Sequence, residues 1–377
     1  MSPADLAHLH EALALAEQAI GLSDPNPRVG CVIVDAAGRT LGRGSTQQAG
    51  GAHAEIVALR ATREAGHDTR GATACVSLEP CAHHGRTPPC CDALLEAGVA
   101  RVVAATGDPN PRVAGQGFAR LRAAGIAVDV ADGEPARTAR ELNIGFFSRM
   151  QRGRPWLRMK IAASLDGRTA LDNGASQWIT GEAARTDGHR WRKRASALLT
   201  GIGTVLDDDP RLDVRLVPTA LQPLRVIVDS RLQTPPGARI LGAPGAVLIY
   251  AAAHDAAREA ALRARGAEVQ HLPAAHGKVD LPALLADLAR RGVNELHVEA
   301  GHKLNGSLLR EGLVDELLVY LAPRLLGSGR GMAALGPFSA LDEALPFSFA
   351  FTQLERIGDD LRLLARPPGR AGFLDDN

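Results

Sequence analysis

Apolar residues recur at two spacings along the chain, and the alternation between the two predicts the elements. Leu6, Leu9, Leu13, Ala16 and Ile20 fall at helical spacing across Asp5 to Ile20. "VGCVIVD" from Val29 reads as a strand and "DAAGRT" as the turn after it. His53 to Ala65 is helical and ends at Gly66, "ATACVSL" is a buried strand, and Cys90 to Ala97 is a short helix stopped by Gly98. "ARVVAAT" is the next strand, followed by a helix to Ala124, the strand "IAVDV" and a helix spanning Glu134 to Met150. This alternation predicts an α/β domain over residues 1–150. "QRGRP", residues 151–155, is basic and carries glycine and proline, so it reads as a linker.

The pattern then restarts over residues 156–366. "WLRMKIAAS", "ALLTGIGTV", "LRVIVDS", "AVLIYAAA", "AEVQHLP" and "NELHVEAG" read as strands. Helices are expected over Thr180–Ala195, Asp255–Arg265, Asp280–Arg291 and Lys303–Glu311. "DELLVYLAPRLLG", "FSFAFTQLERI" and "DDLRLLARP" look like strands with hairpin-type returns, which predicts a mixed α/β domain with an antiparallel edge. "PPGRAGFLDDN", residues 367–377, has little to pack and reads as a loose tail.

Composition narrows the function. Lys+Arg is 43 against 42 for Asp+Glu, and aromatic residues are 3% of the chain. Neither a nucleic-acid footprint nor a binding face for an anionic membrane is expected from that balance. The N-terminus lacks the basic region of a signal peptide, and no apolar run reaches the length of a membrane span. A cytoplasmic protein is therefore expected, in which clustered cysteines point to metal binding or catalysis rather than to disulfides.

The cluster is "LEPCAHHGRTPPCC", from Leu78 to Cys91, and "HAE" lies upstream with His53 and Glu55. A His-x-Glu followed by Pro-Cys-x-x-Cys is the signature of zinc deaminases. Here eight residues, "AHHGRTPP", separate Cys81 from Cys90 where the signature has two. One imidazole (His53) and two thiolates (Cys81, Cys90) leave one position of tetrahedral zinc open for water. Glu55, not itself a ligand, is placed to move protons. His53 and Glu55, two residues apart, converge only if the helix entry is irregular. Cys91 points about a quarter turn away from Cys90, and Cys31 and Cys75 read as core residues. His83, His84 and Arg86 are assigned to the substrate side, with Arg86 a candidate phosphate grip or a solvated loop arginine. "DPNPRV" occurs twice, at Asp24–Val29 and Asp108–Val113. The two copies are either similar proline-stiffened turns or loops that bracket a pocket with Asn26 and Asn110.

The second domain lacks a complete dinucleotide fingerprint: "GIGTV" misses the third glycine, and "GHKLNGS" lacks the lysine of a phosphate-binding loop. What remains is a strand ending at Glu299, a glycine and a helix whose free N–H groups suit a pyrophosphate. Lys160, Ser164, Asp166, Ser176, Trp178, Thr204, Asp208 and Arg215 lie near strand ends.

"NPRVGCVIV", "HAEIVAL", "LEPCAHHGRTPPCCDALLEAGVARVV" and "DPNPRVAGQG" closely resemble the bifunctional deaminase–reductases of riboflavin biosynthesis. "MKIAASLDGRTA", "SQWITG", "GIGTVLDDDPRLDVR", "VIVDS", "VEAGHKLNGSLL" and "VDELLVYLAPRLLG" resemble the reductase half of the same family. The likeness implies a cytidine-deaminase-like three-layer domain followed by a dihydrofolate-reductase-like domain. It implies zinc-dependent hydrolytic deamination of 2,5-diamino-6-(5-phosphoribosylamino)pyrimidin-4(3H)-one, then NADPH-dependent reduction of the ribosyl to the ribityl side chain. It implies that Asn26, His83, Arg86 and Asn110 face the substrate of the first step. For the second step, NADPH would meet Ala162, Trp178, Thr204, Asp208, Ser230 and the turn Gly301, His302, Lys303, Leu304, Asn305, Gly306 and Ser307. Substrate would meet Ser176, Arg192, Leu212, Arg215 and Glu299, with the two arginines as partners for phosphate charge. The family often has glycine where this chain has Ala162, whose methyl would crowd the cofactor. Asp208 and Lys160 are the candidates for proton donor. A phosphorylated pyrimidine as partner and a homo-oligomer are expected. A nucleic-acid deaminase and a zinc-stabilised binding module are the competing readings, and a chain with one degenerate half is a third.

Overall fold

The computed structural model describes residues 1–82, 88–111 and 113–375. It divides into two compact units, Met1–Gly153 with Phe373–Asn377, and Arg154–Gly372.

In the first unit, α1 (Pro3–Glu17) starts at Ser2, whose hydroxyl accepts from the Asp5 N–H while the Asp5 carboxylate accepts from the Ser2 N–H. β1 (Gly30–Val34), β2 (Thr40–Ser45), α2 (Ala54–Glu64), β3 (Thr73–Val76), α3 (Cys90–Glu96), β4 (Arg101–Ala104), α4 (Gln116–Ala123), β5 (Ala127–Val130), α5 (Gly133–Leu142) and α6 (Ile144–Arg152) follow. The sheet order is β2-β1-β3-β4-β5. β1 is antiparallel to β2 and β3, whereas β3, β4 and β5 run parallel. Every residue of β1 is buried, and α1 and α2 both pack on it. The sheet is thus the middle of three layers, as expected.

The sequence pattern does not reveal β2, because Gly42 and Gly44 leave "TLGRGS" without a clean alternation. Those glycines let a helix lie directly on the strand. A Cβ on Gly42 would stand 2.4 Å from the Ala58 carbonyl oxygen, and one on Gly44 would stand 2.2 Å from that of Ala54. The first turn of α2 is seated by this contact.

The helix expected over Glu134–Met150 is two helices, α5 and α6, with Asn143 between them. The buried Asn143 side chain accepts from the Arg28 N–H at 2.7 Å and donates to the Arg28 carbonyl at 2.9 Å. α6 runs on to Arg152, and Gly153 ends it at φ 67°, a left-handed position that favours glycine. The expected linker of residues 151–155 is therefore partly helical. The C-terminal segment is not loose throughout: Gly372–Leu374 forms a turn, Leu374 is buried, and its carbonyl accepts from Arg140 Nη1 at 2.7 Å.

The second unit runs β6 (Trp156–Ser164), β7 (Arg168–Ala170), α7 (Glu182–Arg194), β8 (Ala197–Gly201), α8 (Ile202–Asp208), β9 (Leu224–Val228), α9 (Arg239–Gly242), β10 (Val247–Ala251) and α10 (Ala256–Ala264). It continues with β11 (Ala267–His271), α11 (Leu281–Arg290), β12 (Glu295–Val298), α12 (His302–Arg310), β13 (Glu316–Ala322), β14 (Arg330–Gly331), β15 (Ala350–Ile357) and β16 (Asp360–Arg366). The large sheet has the order β11-β10-β9-β8-β12-β6-β13-β16-β15. It is parallel from β11 to β13, and β16 and β15 then form the expected antiparallel edge. "ALLTGIGTV" is not one strand: β8 stops at Gly201, and α8 places Thr204 and Asp208 on a helix. Gly201 caps that helix with extended backbone, and Leu304 of α12 packs over it, 3.1 Å from where a Cβ would be. β7 and β14 pair as a separate short ribbon, too brief to show a period. No described helix is long and apolar enough to cross a membrane.

Candidate active sites

The entry to α2 resolves the spacing problem of His53 and Glu55. His53 is the N-cap, with extended backbone at φ −74° and ψ 163°, while Glu55 lies in the first helical turn. The chain therefore changes direction between them, and both side chains reach one place. Cys90 opens α3 and is buried, and Cys81 approaches from the segment after β3. His53 Nδ1 lies 3.3 Å from Cys90 Sγ and 3.6 Å from Cys81 Sγ. With Zn–N near 2.0 Å and Zn–S near 2.3 Å, a tetrahedral ion separates N from S by about 3.6 Å. The three ligand atoms lie within 4.8 Å of one another, and the donor set fits zinc.

The electrostatics agree with that chemistry. Cys81 is pulled down to about 4, first by a hydrogen bond from Cys90, then by His53 and the Cys90 N–H, against the cost of its burial. Cys90 is pushed up by the same neighbour and by its burial, so Cys81 is the more acidic thiol of the pair. Burial raises the Glu55 carboxyl to about 7, and the negative Cys81 adds to the shift. Glu55 is 3% exposed. An acid screened from water beside three soft ligands has the character of a proton carrier rather than of a surface group.

The remaining cysteines are set apart. Cys91 Sγ donates to the Pro80 carbonyl at 3.2 Å, and burial pushes its thiol up to about 12. Cys31 and Cys75 are buried within β1 and β3.

The described residues of both copies of "DPNPRV" lie at one end of the sheet. The first leads into β1 and the second follows β4, and β1 runs antiparallel to β3 while β3 and β4 run parallel. Cys81 leaves β3 at that same end. Asn26 and Asn110 are half-buried there. Glu79, given no role on sequence grounds, holds the second loop. Its carboxylate accepts from the N–H groups of Asp108, Gly115, Gly117 and Phe118 at 3.1, 3.0, 2.9 and 3.2 Å. Its only signal in the sequence was an acid beside Pro80-Cys81, at the end of an apolar strand. His83 and Arg86 lie outside the described residues.

In the second unit a charge network joins the middle of β6 to the ends of β12 and α7. Arg192 clamps Glu299 with two nitrogens, Nη2 standing 2.9 Å from Oε2, and its Nη1 donates to the Asp213 carbonyl at 2.9 Å. Lys160 Nζ lies 3.7 Å from Glu299 Oε2. Burial opposes the charge on Glu299, but Arg192 and Lys160 outweigh it and hold the carboxylate well below its usual range. Arg215 Nη1 lies 2.6 Å from Asp213 Oδ1, and the Arg215 N–H donates to His189 Nδ1 at 3.2 Å. His189 is pushed down to about 4 by burial and by the two arginines. His189 and Asp213 carried no sequence signal, because only the fold brings them to Arg192 and Arg215.

The geometry describes how these expected substrate residues are held. Arg192 is paired with Glu299 and holds that carboxylate in place. Arg215, with 43% of its side chain exposed, is the more open cation. The Leu212 side chain is buried in the core, and its backbone takes φ 50°, a strained value for a branched residue. Leu212 shapes the loop and does not present its side chain outward.

The expected cofactor residues also sort by geometry. Ser176 Oγ donates to Asp208 Oδ1 at 3.1 Å, so those two positions do meet. Thr204 Oγ1 lies 3.7 Å from a Cβ built on Gly301, which joins the starts of α8 and α12. Trp178 is exposed, with Arg185 4.8 Å above its ring. Ala162 is half-buried on β6, and the Ser230 hydroxyl accepts from the Val279 N–H at 3.3 Å. Gly301 caps α12, so the free N–H groups belong to His302, Lys303 and Leu304. Asn305, Gly306 and Ser307 are turned to other work. Asn305 donates to the Met332 carbonyl at 2.9 Å, Gly306 admits the Ala334 backbone, and Ser307 Oγ donates to the Lys303 carbonyl at 3.3 Å.

Comparison with known proteins covers both units. Residues 3–106 match the cytidine and deoxycytidylate deaminase zinc-binding region, and residues 155–363 match the RibD C-terminal domain. The chain is 45% identical to the riboflavin biosynthesis protein RibD of Escherichia coli strain K12, over 95% of this chain and 98% of that one. The structure of Acinetobacter baumannii RibD superposes with a TM-score of 0.87 at 39% identity, covering 97% of this chain and 99% of that one. A Thermotoga maritima diaminohydroxyphosphoribosylaminopyrimidine deaminase/5-amino-6-(5-phosphoribosylamino)uracil reductase superposes with a TM-score of 0.83 at 31% identity, covering 97% of this chain and 99% of that one.

Proposed function

The chain belongs to the RibD family, the bifunctional deaminase–reductases of riboflavin biosynthesis, and on that premise we propose how its own residues divide the two reactions. His53, Cys81 and Cys90 hold zinc. The bound ion supplies a Lewis acid that makes water nucleophilic near neutral pH. Glu55 would take one proton from the attacking water and pass it to the ring nitrogen, then carry the remaining hydroxyl proton to the departing amine, so that ammonia leaves and a carbonyl remains. Its burial suits it to the task, because burial raises its carboxyl above the usual range and so favours taking up a proton. Asn26 and Asn110 flank the pyrimidine from the two loops that share the Cys81 end of the sheet, and Glu79 fixes the second of them.

In the second unit, NADPH supplies hydride when bound. The first turn of α12, Gly301 to Leu304, offers N–H groups to its pyrophosphate, and Thr204 and Asp208 line the facing helix α8. Glu299, kept ionised by Arg192 and Lys160, accepts hydrogen bonds from substrate hydroxyls, and Arg215 takes the phosphate. Lys160, half-buried beside Glu299, is the group we assign to protonation in this step. The substrate is the phosphoribosylamino-diaminopyrimidinone of the family, and the product keeps its phosphate.

We infer that the enzyme works in the cytoplasm, where its free cysteines stay reduced. We also infer a homo-oligomer, with β15 as the contact. That strand closes the sheet and exposes Phe351 and Leu354, an apolar edge that isolated proteins avoid.

The observation that carries the deaminase reading is the convergence of His53, Cys81 and Cys90 on one point with buried Glu55 beside them. Its test follows ammonia release and NADPH oxidation in parallel, with and without a zinc chelator. Ammonia followed by NADPH loss, both absent after chelation, is expected. Ammonia release that survives removal of all zinc would overturn the metal assignment.

A further inference from the structure

The second unit carries another group of metal-binding side chains that neither reaction uses. β10 and β11 are parallel neighbours joined by α10. That connection brings the C-terminal ends of both strands to the first turn of the helix. His254 follows β10, Glu259 lies in the first turn of α10, and His271 is the last residue of β11. Glu259 Oε1 stands 2.8 Å from His271 Nε2 and 3.6 Å from His254 Nδ1. The other carboxylate oxygen faces Arg263 Nη2 at 3.7 Å, so Oε1 is the one aimed at the imidazoles. The two rings stack, with centroids 3.7 Å apart and planes at 23°.

Distance, bonding and access all point to a cation. Nitrogen and oxygen donors about 2.0–2.1 Å from a tetrahedral zinc stand about 3.3 Å from one another, and the two contacts to Glu259 straddle that separation. All three ligand atoms lie within 4.8 Å of each other. Both ring nitrogens of His271 are buried: Nδ1 has no hydrogen-bond partner, and Nε2 faces the Glu259 carboxylate, 2.8 Å away. That leaves an imidazole nitrogen and a carboxylate oxygen side by side, a donor pair that a divalent ion can join through Nε2 and Oε1. The His254 side chain is 75% exposed, which leaves an open path for the ion and room for the ring to turn onto it. Two imidazoles and one carboxylate suit zinc, cobalt and nickel.

We propose that His254, Glu259 and His271 form a second metal site, selective for zinc and its neighbours among the divalent cations and distinct from the thiolate site of the first unit. The ion ties the ends of β10 and β11 to α10. No sulfur enters its ligand set, and this separates its signature from that of the first site.

Full-length protein is loaded with zinc at the first site, freed of excess, and titrated calorimetrically with Zn2+ alone. One further equivalent per chain is expected. His254→Ala should weaken its binding by more than the roughly 10–100-fold that outer-shell changes cost at metal sites, and Glu259→Gln should do the same. Because His254 is exposed, its substitution leaves the fold intact, which an unchanged melting curve of the protein without added metal would verify. His10→Ala is the control. His10 is also a histidine beside a carboxylate, 2.8 Å from Glu134, and its loss must leave the second equivalent in place. Co2+ taken up at the second site should show ligand-field absorption without thiolate charge transfer. Uptake of no further ion, undiminished binding by His254→Ala, or charge-transfer bands accompanying the second equivalent would each overturn the proposal.

Discussion

In the first unit the reacting groups come from short stretches, His53 and Glu55 at one helix start and Cys81 and Cys90 around another. In the second unit the polar groups come from β6, α7, the 211–215 segment and β12, and they reach one another through ion pairs. The first site needs an ion to join its ligands, and each ligand has one task. The second site is already joined: Arg192 holds Glu299, Glu299 faces Lys160, and Arg215 and Arg192 flank His189. Loss of one residue should therefore have different consequences in the two units. A change in the first should remove chemistry and spare the fold. A change in the second should cost both, because it strands a buried charge.

Glu55→Gln gives the largest contrast. Ammonia release should fall by roughly 10²–10⁴-fold, the usual worth of a positioned general base. Zinc content measured by atomic absorption should be unchanged, and NADPH oxidation should persist when the deaminated intermediate is supplied. Loss of zinc in this variant would show that Glu55 is a ligand. Glu299→Gln is the counterpart in the second unit. It leaves Arg192 without its carboxylate, so reduction should be lost and unfolding in denaturant should shift by about 3–5 kcal/mol. A variant that loses reduction at full stability would mean that the network is not coupled as the distances imply.

Gly44→Ala tests the seat of α2. The added methyl meets the Ala54 carbonyl and the Ala58 nitrogen. Overpacking of this kind costs about 1–3 kcal/mol, and zinc affinity should fall with it because His53 starts that helix. Unchanged melting and zinc binding would mean that β2 moves aside freely. The smallest effect concerns acid. His189 is neutral in the folded protein until about pH 4, whereas an unfolded imidazole protonates near 6.5. Below that value the unfolded chain binds the extra proton, so stability is full above about 6.5 and declines as pH falls toward 4. His189→Gln should flatten that slope in denaturant melts at pH 7, 5.5 and 4.5. An equally steep slope would assign the acid sensitivity to other groups.

Much of the first site was legible from the chain because its motifs are local. "HAE" and "EPC", with a second cysteine opening a helix, single out the three side chains that the structure then brings within 4.8 Å of one another. What stayed hidden there was the support: β2, whose glycines erase the periodic signal, and Glu79, whose four N–H partners lie 29 to 39 positions downstream. The second site was legible only through resemblance, and the structure adds how its residues are held. Arg192 is committed to Glu299, Leu212 is buried, and the helix part of "GHKLNGS" from Asn305 onward packs against 332–334.

The sequence by itself determined the strand–helix order, the antiparallel edge, the two-part organisation and the identity of the soft ligands. These follow from hydrophobic period and from residue chemistry, both of which are written locally. Only the tertiary structure decided which charges neutralise one another, which glycines admit a backbone, and that His254, Glu259 and His271 share a corner of the second unit. Those facts depend on which strand ends the sheet brings together. Residues distant in the chain carry no periodic mark of the neighbour they will meet.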